Sequence, residues 1–175
     1  MSRGWRLALL VGLLLLGFGL RLHQLDAQSM WSDEGLSLYR ARQPVPDLLA
    51  GTIVIDGQAS QDTNPPLYFL LLSGLRALAG ESVFALRYLG VLTAVLSFPL
   101  LYKLGKRLGS WQVGLGALFW LAISPLHVWQ SQDMRNYTLL LFWNLASVYA
   151  LSQIVLPARP QPDRTLAKWG VLWGV

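Results

Sequence analysis

Apolar residues in this chain come in long blocks rather than in alternating or amphipathic patterns. Residues 7–22 are apolar apart from Arg21, and residues 83–102, 111–129 and 137–156 form three further blocks. Each approaches the roughly 20 residues that a helix needs to cross a bilayer. Residues 169–175 enter another such run. The pattern predicts an all-α membrane protein, a transmembrane helix bundle with a long first loop at 23–82 that carries juxtamembrane helices.

Within that loop, residues 32–42 have helical spacing, with Leu36 and Tyr39 on one face. Gln43-Pro44-Val45-Pro46 ends the helix, residues 47–50 predict another turn, and 51–64 read as loop. Ser32 is a good N-cap, and Asp33 and Glu34 in the first turn would complement the helix dipole. The same two carboxylates, beside Trp31 and close to a membrane, also suit an active-site acid pair. Residues 66–79 open with prolines, which a helix N-terminus accepts. That run is shorter than a span and carries Arg76.

Composition strengthens the membrane reading. Of 175 residues, 54% are hydrophobic and only 13% are charged, against about 25% charged in soluble domains. With no cysteine, disulfides and thiolate metal sites are excluded. The net charge of +5 lies beside the apolar blocks, so it speaks for membrane orientation and not for nucleic acid. A cleaved signal peptide is the rival reading of the first block. Leu25-Asp26-Ala27 matches the small-x-small cleavage pattern poorly, so the block is expected to be an uncleaved span with a cytoplasmic N-terminus.

Charge then selects a topology. If residues 66–79 do not span, the cytoplasmic segments 1–6, 103–110 and 157–168 hold Arg3, Arg6, Lys103, Lys106, Arg107, Arg159, Arg164 and Lys168. The short outer connector 130–136 then holds only Arg135. If they do span, the basic connectors move outside, against the positive-inside rule. Residues 66–79 are therefore expected to lie at, or dip into, the outer surface, with Arg76 snorkelling to water. In this arrangement Asp33, Glu34, Arg87, His127, Gln132, Asp133, Arg135 and Tyr137 gather at the outer face. Polar groups at membrane depth cost about 2.5–3.5 kcal/mol on the insertion scale, so they tend to face a cavity and mark function. His127 reads as a satisfied span-end histidine.

Four motifs occur in a familiar order: Trp31-Ser32-Asp33-Glu34; Asn64-Pro65-Pro66-Leu67-Tyr68-Phe69; Phe84-Ala85-Leu86-Arg87-Tyr88 followed by Lys103-Leu104-Gly105-Lys106-Arg107-Leu108; and Ser131-Gln132-Asp133-Met134-Arg135-Asn136-Tyr137. In this the chain resembles the N-terminal part of polytopic glycosyltransferases of the dolichyl-phosphate-mannose protein mannosyltransferase type, the GT-C group. Its bacterial members include lipopolysaccharide-core and aminoarabinose transferases. The resemblance implies a GT-C-like bundle in the plasma membrane, a polyprenyl-phosphate-sugar donor, and a lipid, glycan or protein acceptor on the extracytoplasmic side. It also implies an acidic residue from the first outer loop, here Asp33 or Glu34. The family's proline pair often follows histidine, whereas here it follows Asn64, which leaves the histidine's role without a carrier. Family proteins are much longer, so the chain is expected to be a fragment or a truncated product.

The chemistry fits these residue types. A carboxylate can take the proton of an acceptor hydroxyl, and a fixed arginine can stabilise the departing lipid phosphate. Adjacent helical residues point about 100° apart, so Asp33 and Glu34 cannot face one reacting atom. Asp33 is the expected base or acceptor-orienting group; Glu34 is the second catalytic candidate, with pairing to an arginine as its alternative role. Arg87, Asp133, Arg135, Tyr137 and Asn64 are the expected substrate-binding residues. A divalent cation held by Asp33, Glu34 and Asp133 is an open alternative. So are two other function classes, a polytopic transporter and a non-catalytic lipid-binding membrane protein. A transporter would place its ionisable groups near mid-membrane.

Overall fold

The computed structural model describes residues 3–55, 57–61 and 64–156. The expected basic segment 157–168 and the run from 169 lie outside the described residues. Among the described residues eight helices follow one another: α1 (Arg3–Leu22), α2 (Ser32–Ala41), α3 (Val45–Ala50), α4 (Pro66–Ala79), α5 (Val83–Leu108), α6 (Trp111–Ile123), α7 (Pro125–Ser131) and α8 (Tyr137–Val155). α1, α5 and α8 are long and apolar enough to cross a membrane. α6 and α7 form a further apolar pair bent by 61°. The protein is an all-α membrane helix bundle with one small β excursion.

α5 is the central post. It packs against α1, α4, α6, α7 and α8, and at about 1.5 Å per residue its 26 residues exceed the thickness of a hydrocarbon core. Where α5 meets α6, Gly105 and Gly114 let the backbones touch: a Cβ on Gly105 would come within 2.8 Å of Gly114 Cα. Small residues at helix contacts serve this purpose in membranes, where hydrophobicity does not drive helices together. α5 and α8 are joined by Thr93 Oγ1 and Thr138 Oγ1 at 2.7 Å. The outward faces stay apolar, with Leu7, Val11 and Leu15 on α1, Trp120 on α6, and Leu140, Trp143, Leu151 and Ile154 on α8 all exposed.

The loop helices build a second core on one end of this post. Leu38 and Ala41 of α2, Leu48 of α3, and Tyr68, Phe69 and Leu72 of α4 pack with Leu86 and Leu89 of α5, Met134 and Leu139. α4 rises only about 21 Å over its 14 residues, short of the roughly 30 Å hydrocarbon core.

Several expectations need correction. Residues 51–64 are not all loop: β1 (Thr52–Ile55) and β2 (Gln58–Gln61) pair antiparallel, Ile53 opposite Ser60, and Gly57 supplies the positive φ at the turn. The helix after Trp31 is not capped by Ser32. Trp31 is the N-cap, and its N–H is accepted by the Glu34 carboxylate at 3.4 Å. The buried face of α2 is Glu34, Ser37, Leu38, Arg40 and Ala41, while Tyr39 is exposed. Apolar periodicity pointed to Leu36 and Tyr39 because it takes no account of polar side chains that find partners. The block 111–129 is not one helix. It breaks at Ser124, whose hydroxyl accepts the His127 N–H, and Pro125 starts α7. Finally, α5 runs through the basic connector to Leu108, since Lys and Arg are good helix formers.

Candidate active site

The site sits where the C-terminus of α1, the N-termini of α2, α5 and α8, and the 132–136 loop converge. Its centre is Glu34, which is fully buried. Arg87 Nε donates to Glu34 Oε1 at 2.8 Å and Arg87 Nη2 to Oε2 at 2.7 Å. The Met134 N–H donates to Oε1 at 2.9 Å, and Trp31 N–H reaches Oε2. Burial alone would push this carboxyl up. The hydrogen bonds from Arg87, Met134 and Trp31 outweigh it and hold the group below its ordinary value. The remaining donors of Arg87 go to the carbonyls of Leu25 (2.9 Å), Gln28 (3.0 Å) and Ser29 (3.4 Å). All five guanidinium N–H groups are therefore spent within the fold. One ion pair ties the chain after α1 to α2, α5 and the 132–136 loop.

Asp133 lies beside this pair and is also buried. Its Oδ1 accepts the Trp31 indole N–H at 3.0 Å. Burial raises its carboxyl above the ordinary value; the Trp31 bond works against that, and the nearby Glu34 carboxylate adds to it. Gln132 Nε2 anchors the same loop to the last carbonyls of α1, donating to Arg21 at 3.2 Å and to His23 at 2.8 Å. Gly90 permits the close seat of the loop on α5. A Cβ there would stand 2.6 Å from the Ser131 carbonyl oxygen.

Asp33 and Arg135 differ from these residues. The Asp33 side chain is 44% exposed, and its Oδ2 stands 3.7 Å from Arg135 Nη1. Arg135 Nε is buried and has no acceptor, and the guanidinium lies 5.9 Å from the Tyr137 ring centre. A cavity of about 500 Å³ opens here, lined among others by Gln28, Trp31, Glu34, Arg87, Trp129 and Asp133. Of the expected site residues, Glu34, Arg87 and Asp133 line it. Asp33, Arg135 and Tyr137 stand outside that lining, and so does Asn64, whose carbonyl accepts from Arg40 at 3.4 Å. Asp33 and Glu34 point different ways, as their helical spacing requires.

The carboxylate set for a cation is not assembled. Among the described residues no three His, Cys, Asp or Glu side chains come together as metal ligands, and the oxygens of Glu34 are committed to N–H donors.

The profile described as dolichyl-phosphate-mannose-protein mannosyltransferase matches residues 63–175. The chain belongs to this mannosyltransferase family. It is a membrane glycosyltransferase of the GT-C type. The matched stretch holds Asn64, Arg87, Asp133, Arg135 and Tyr137 but starts after Asp33 and Glu34. No curated protein and no solved structure matches the chain.

Three contributors escaped the sequence reading. In the sequence Trp31 is only an aromatic beside two carboxylates, yet in the fold its indole N–H orients Asp133. The Tyr68 hydroxyl is buried with no hydrogen-bond partner, in the field of Asp133, Glu34 and Arg135. Arg21 fastens α1 to the α6–α7 break, donating to the carbonyls of Leu121 and Ala122 at 3.0 Å and to His127 Nδ1 at 2.6 Å. Since guanidinium only donates, the His127 proton sits on Nε2, which is buried without an acceptor. The available signal for Arg21 was a charge inside an apolar block upstream of a proline-broken one.

Proposed function

We propose that this glycosyltransferase moves a sugar from a polyprenyl-phosphate donor to an acceptor hydroxyl at the extracytoplasmic face of the plasma membrane. The observation that carries the assignment of roles is the contrast between two arginines. Arg87 has no donor left for a ligand, so it is a positioning residue that holds Glu34 and the surrounding loops. Arg135 is partly exposed, and its Nη1 stands 3.7 Å from the Asp33 carboxylate, too far for a hydrogen bond, so it is the cation for the lipid phosphate. Asp33 takes the proton of the acceptor hydroxyl as that oxygen bonds to the sugar C1. The bond from C1 to the phosphate oxygen breaks, and the lipid phosphate leaves with the added negative charge, held by Arg135. Asp133, which lines the cavity, is the polar group offered to the sugar, and Tyr137 flanks the cation.

Transfer from a polyprenyl-phosphate sugar in proteoliposomes tests this. Asp33→Asn keeps shape and removes basicity, and should slow transfer by about 10²–10⁴-fold while leaving donor binding intact. Arg135→Gln should weaken donor binding and slow transfer together, because phosphate is present in ground and transition states. A wild-type rate for Asp33→Asn would remove it from the mechanism and turn attention to Asp133. The orientation is tested separately. The chain lacks cysteine, so single cysteines at Gln58 and Ser110 can be labelled with an impermeant thiol reagent. In intact cells position 58 should react and position 110 should not, and the reverse pattern would invert the topology.

A further inference from the structure

The opposite end of the bundle carries a second cavity, of about 510 Å³, between the ends of α5 and α8. Its α5 wall is Lys103, Lys106, Arg107 and Leu108, and its α8 wall is Tyr149, Gln153 and Leu156. Lys103, Lys106 and Arg107 stand at i, i+3 and i+4, which places all three on one helical face. Tyr149, Gln153 and Leu156 stand at i, i+4 and i+7, again on one face. Arg107 is spent on the fold. Its Nε donates to the Ser152 carbonyl at 3.0 Å and its Nη2 to the Leu156 carbonyl at 2.7 Å, so it caps α8 and closes the far side of the cavity. Lys103 and Lys106 form no ion pair among the described residues. Both are exposed.

We propose that this cavity binds the headgroup of an anionic phospholipid. Lys103 and Lys106 would hold the phosphodiester, and the Tyr149 hydroxyl and Gln153 amide would serve the glycerol oxygens. The cavity lies at the end of two apolar helices and not in a water-facing domain, which favours a lipid over a soluble anion. Its rim continues into an exposed apolar strip on α8, with Leu151 at 58%, Ile154 at 83% and Val155 at 65% exposure, where acyl chains can lie. Basic pockets between helices at a membrane boundary are recognised sites for such headgroups. The site is separate from the Glu34–Arg87 centre and does not rest on the sugar-transfer reading.

The test uses the intact protein in phosphatidylcholine nanodiscs doped with phosphatidylglycerol, with retained lipid counted by native mass spectrometry. Phosphatidylglycerol should be retained over phosphatidylcholine, and the preference should fall about 30-fold in Lys103→Gln/Lys106→Gln, as expected for the loss of roughly 1 kcal/mol for each of two basic residues near an anionic surface. Circular dichroism and the unfolding midpoint in pure phosphatidylcholine should not change, which separates loss of the site from loss of the fold. Equal retention of the two lipids by the wild type would overturn the proposal. So would an unchanged preference in the double variant. Displacement of the lipid by millimolar inorganic phosphate would also overturn it, by making this a soluble-anion site.

Discussion

The two ends of the bundle handle charge in opposite ways. At the Glu34–Arg87 pair the charges are buried and every donor of the Arg87 guanidinium is engaged. Around residues 103–107 three cations share a face, and only Arg107 is engaged with the fold. Folding explains the difference. A charge removed from water costs several kcal/mol unless it is paired and hydrogen-bonded, so the buried end must satisfy itself. A charge left at a boundary carries no such requirement and stays available to a ligand. The same criterion separates Arg87 from Arg135 within the site, although both are arginines of one cluster.

The largest expected effect breaks the buried end. Glu34→Ala strands Arg87 without its carboxylate and should cost about 3–5 kcal/mol, read from denaturant unfolding in micelles. Replacing both Glu34 and Arg87 by methionine should recover much of that loss, because no uncompensated charge remains. A single-variant cost near zero would show that the pair is not what holds the two loops together.

A smaller effect addresses the seat of the loop. Gly90→Ala places a methyl 2.6 Å from the Ser131 carbonyl oxygen, and neither backbone can yield cheaply. Overpacking of this kind costs about 1–3 kcal/mol. Gly116→Ala, where nothing lies within 4 Å, is the matched control and should unfold like the wild type.

The effect of pH sharpens the comparison further. Burial raises the Asp133 carboxyl, so in the folded protein it keeps its proton where the unfolded chain has released it. Its contribution to stability is present below the ordinary aspartate value, roughly pH 4, and is lost as pH rises through the raised value. Glu34 has the opposite sign: its lowered value contributes above the ordinary glutamate range and is lost as pH falls. Asp133→Asn should therefore flatten the decline in unfolding midpoint above about pH 4 and leave the acid-side loss in place. An unchanged profile would contradict the raised carboxyl. The smallest effect concerns Tyr137. Tyr137→Phe keeps the ring beside Arg135, and since an exposed cation–π contact is worth only about 0.5–1 kcal/mol, transfer should change by less than roughly threefold.

Much of the architecture was legible in local pattern. Apolar blocks marked α1, α5 and α8, the prolines at 65 and 66 opened α4 where expected, and the motif order pointed to the mannosyltransferase family that the profile match then showed. The hairpin at 52–61 was not legible, because Thr52–Ile55 is a short strand whose partner is polar and has no alternation to detect. The break at Ser124 had its signal in Pro125, but uninterrupted hydropathy on both sides concealed it.

Sequence by itself determined the membrane class, the helix blocks, the family and the fact that Asp33 and Glu34 must diverge. Each of these depends on residue identity and on neighbours a few positions away. Only tertiary structure decided which charges are spent. Glu34 meets Arg87 from 53 residues along the chain and the Met134 N–H from 100, Arg21 reaches Leu121 across the bundle, and Arg107 finds carbonyls 45 and 49 residues away. Hydrogen-bond satisfaction of a buried charge is a property of the packed bundle. No local window contains the partners that make one arginine a structural tie and leave another outside that network.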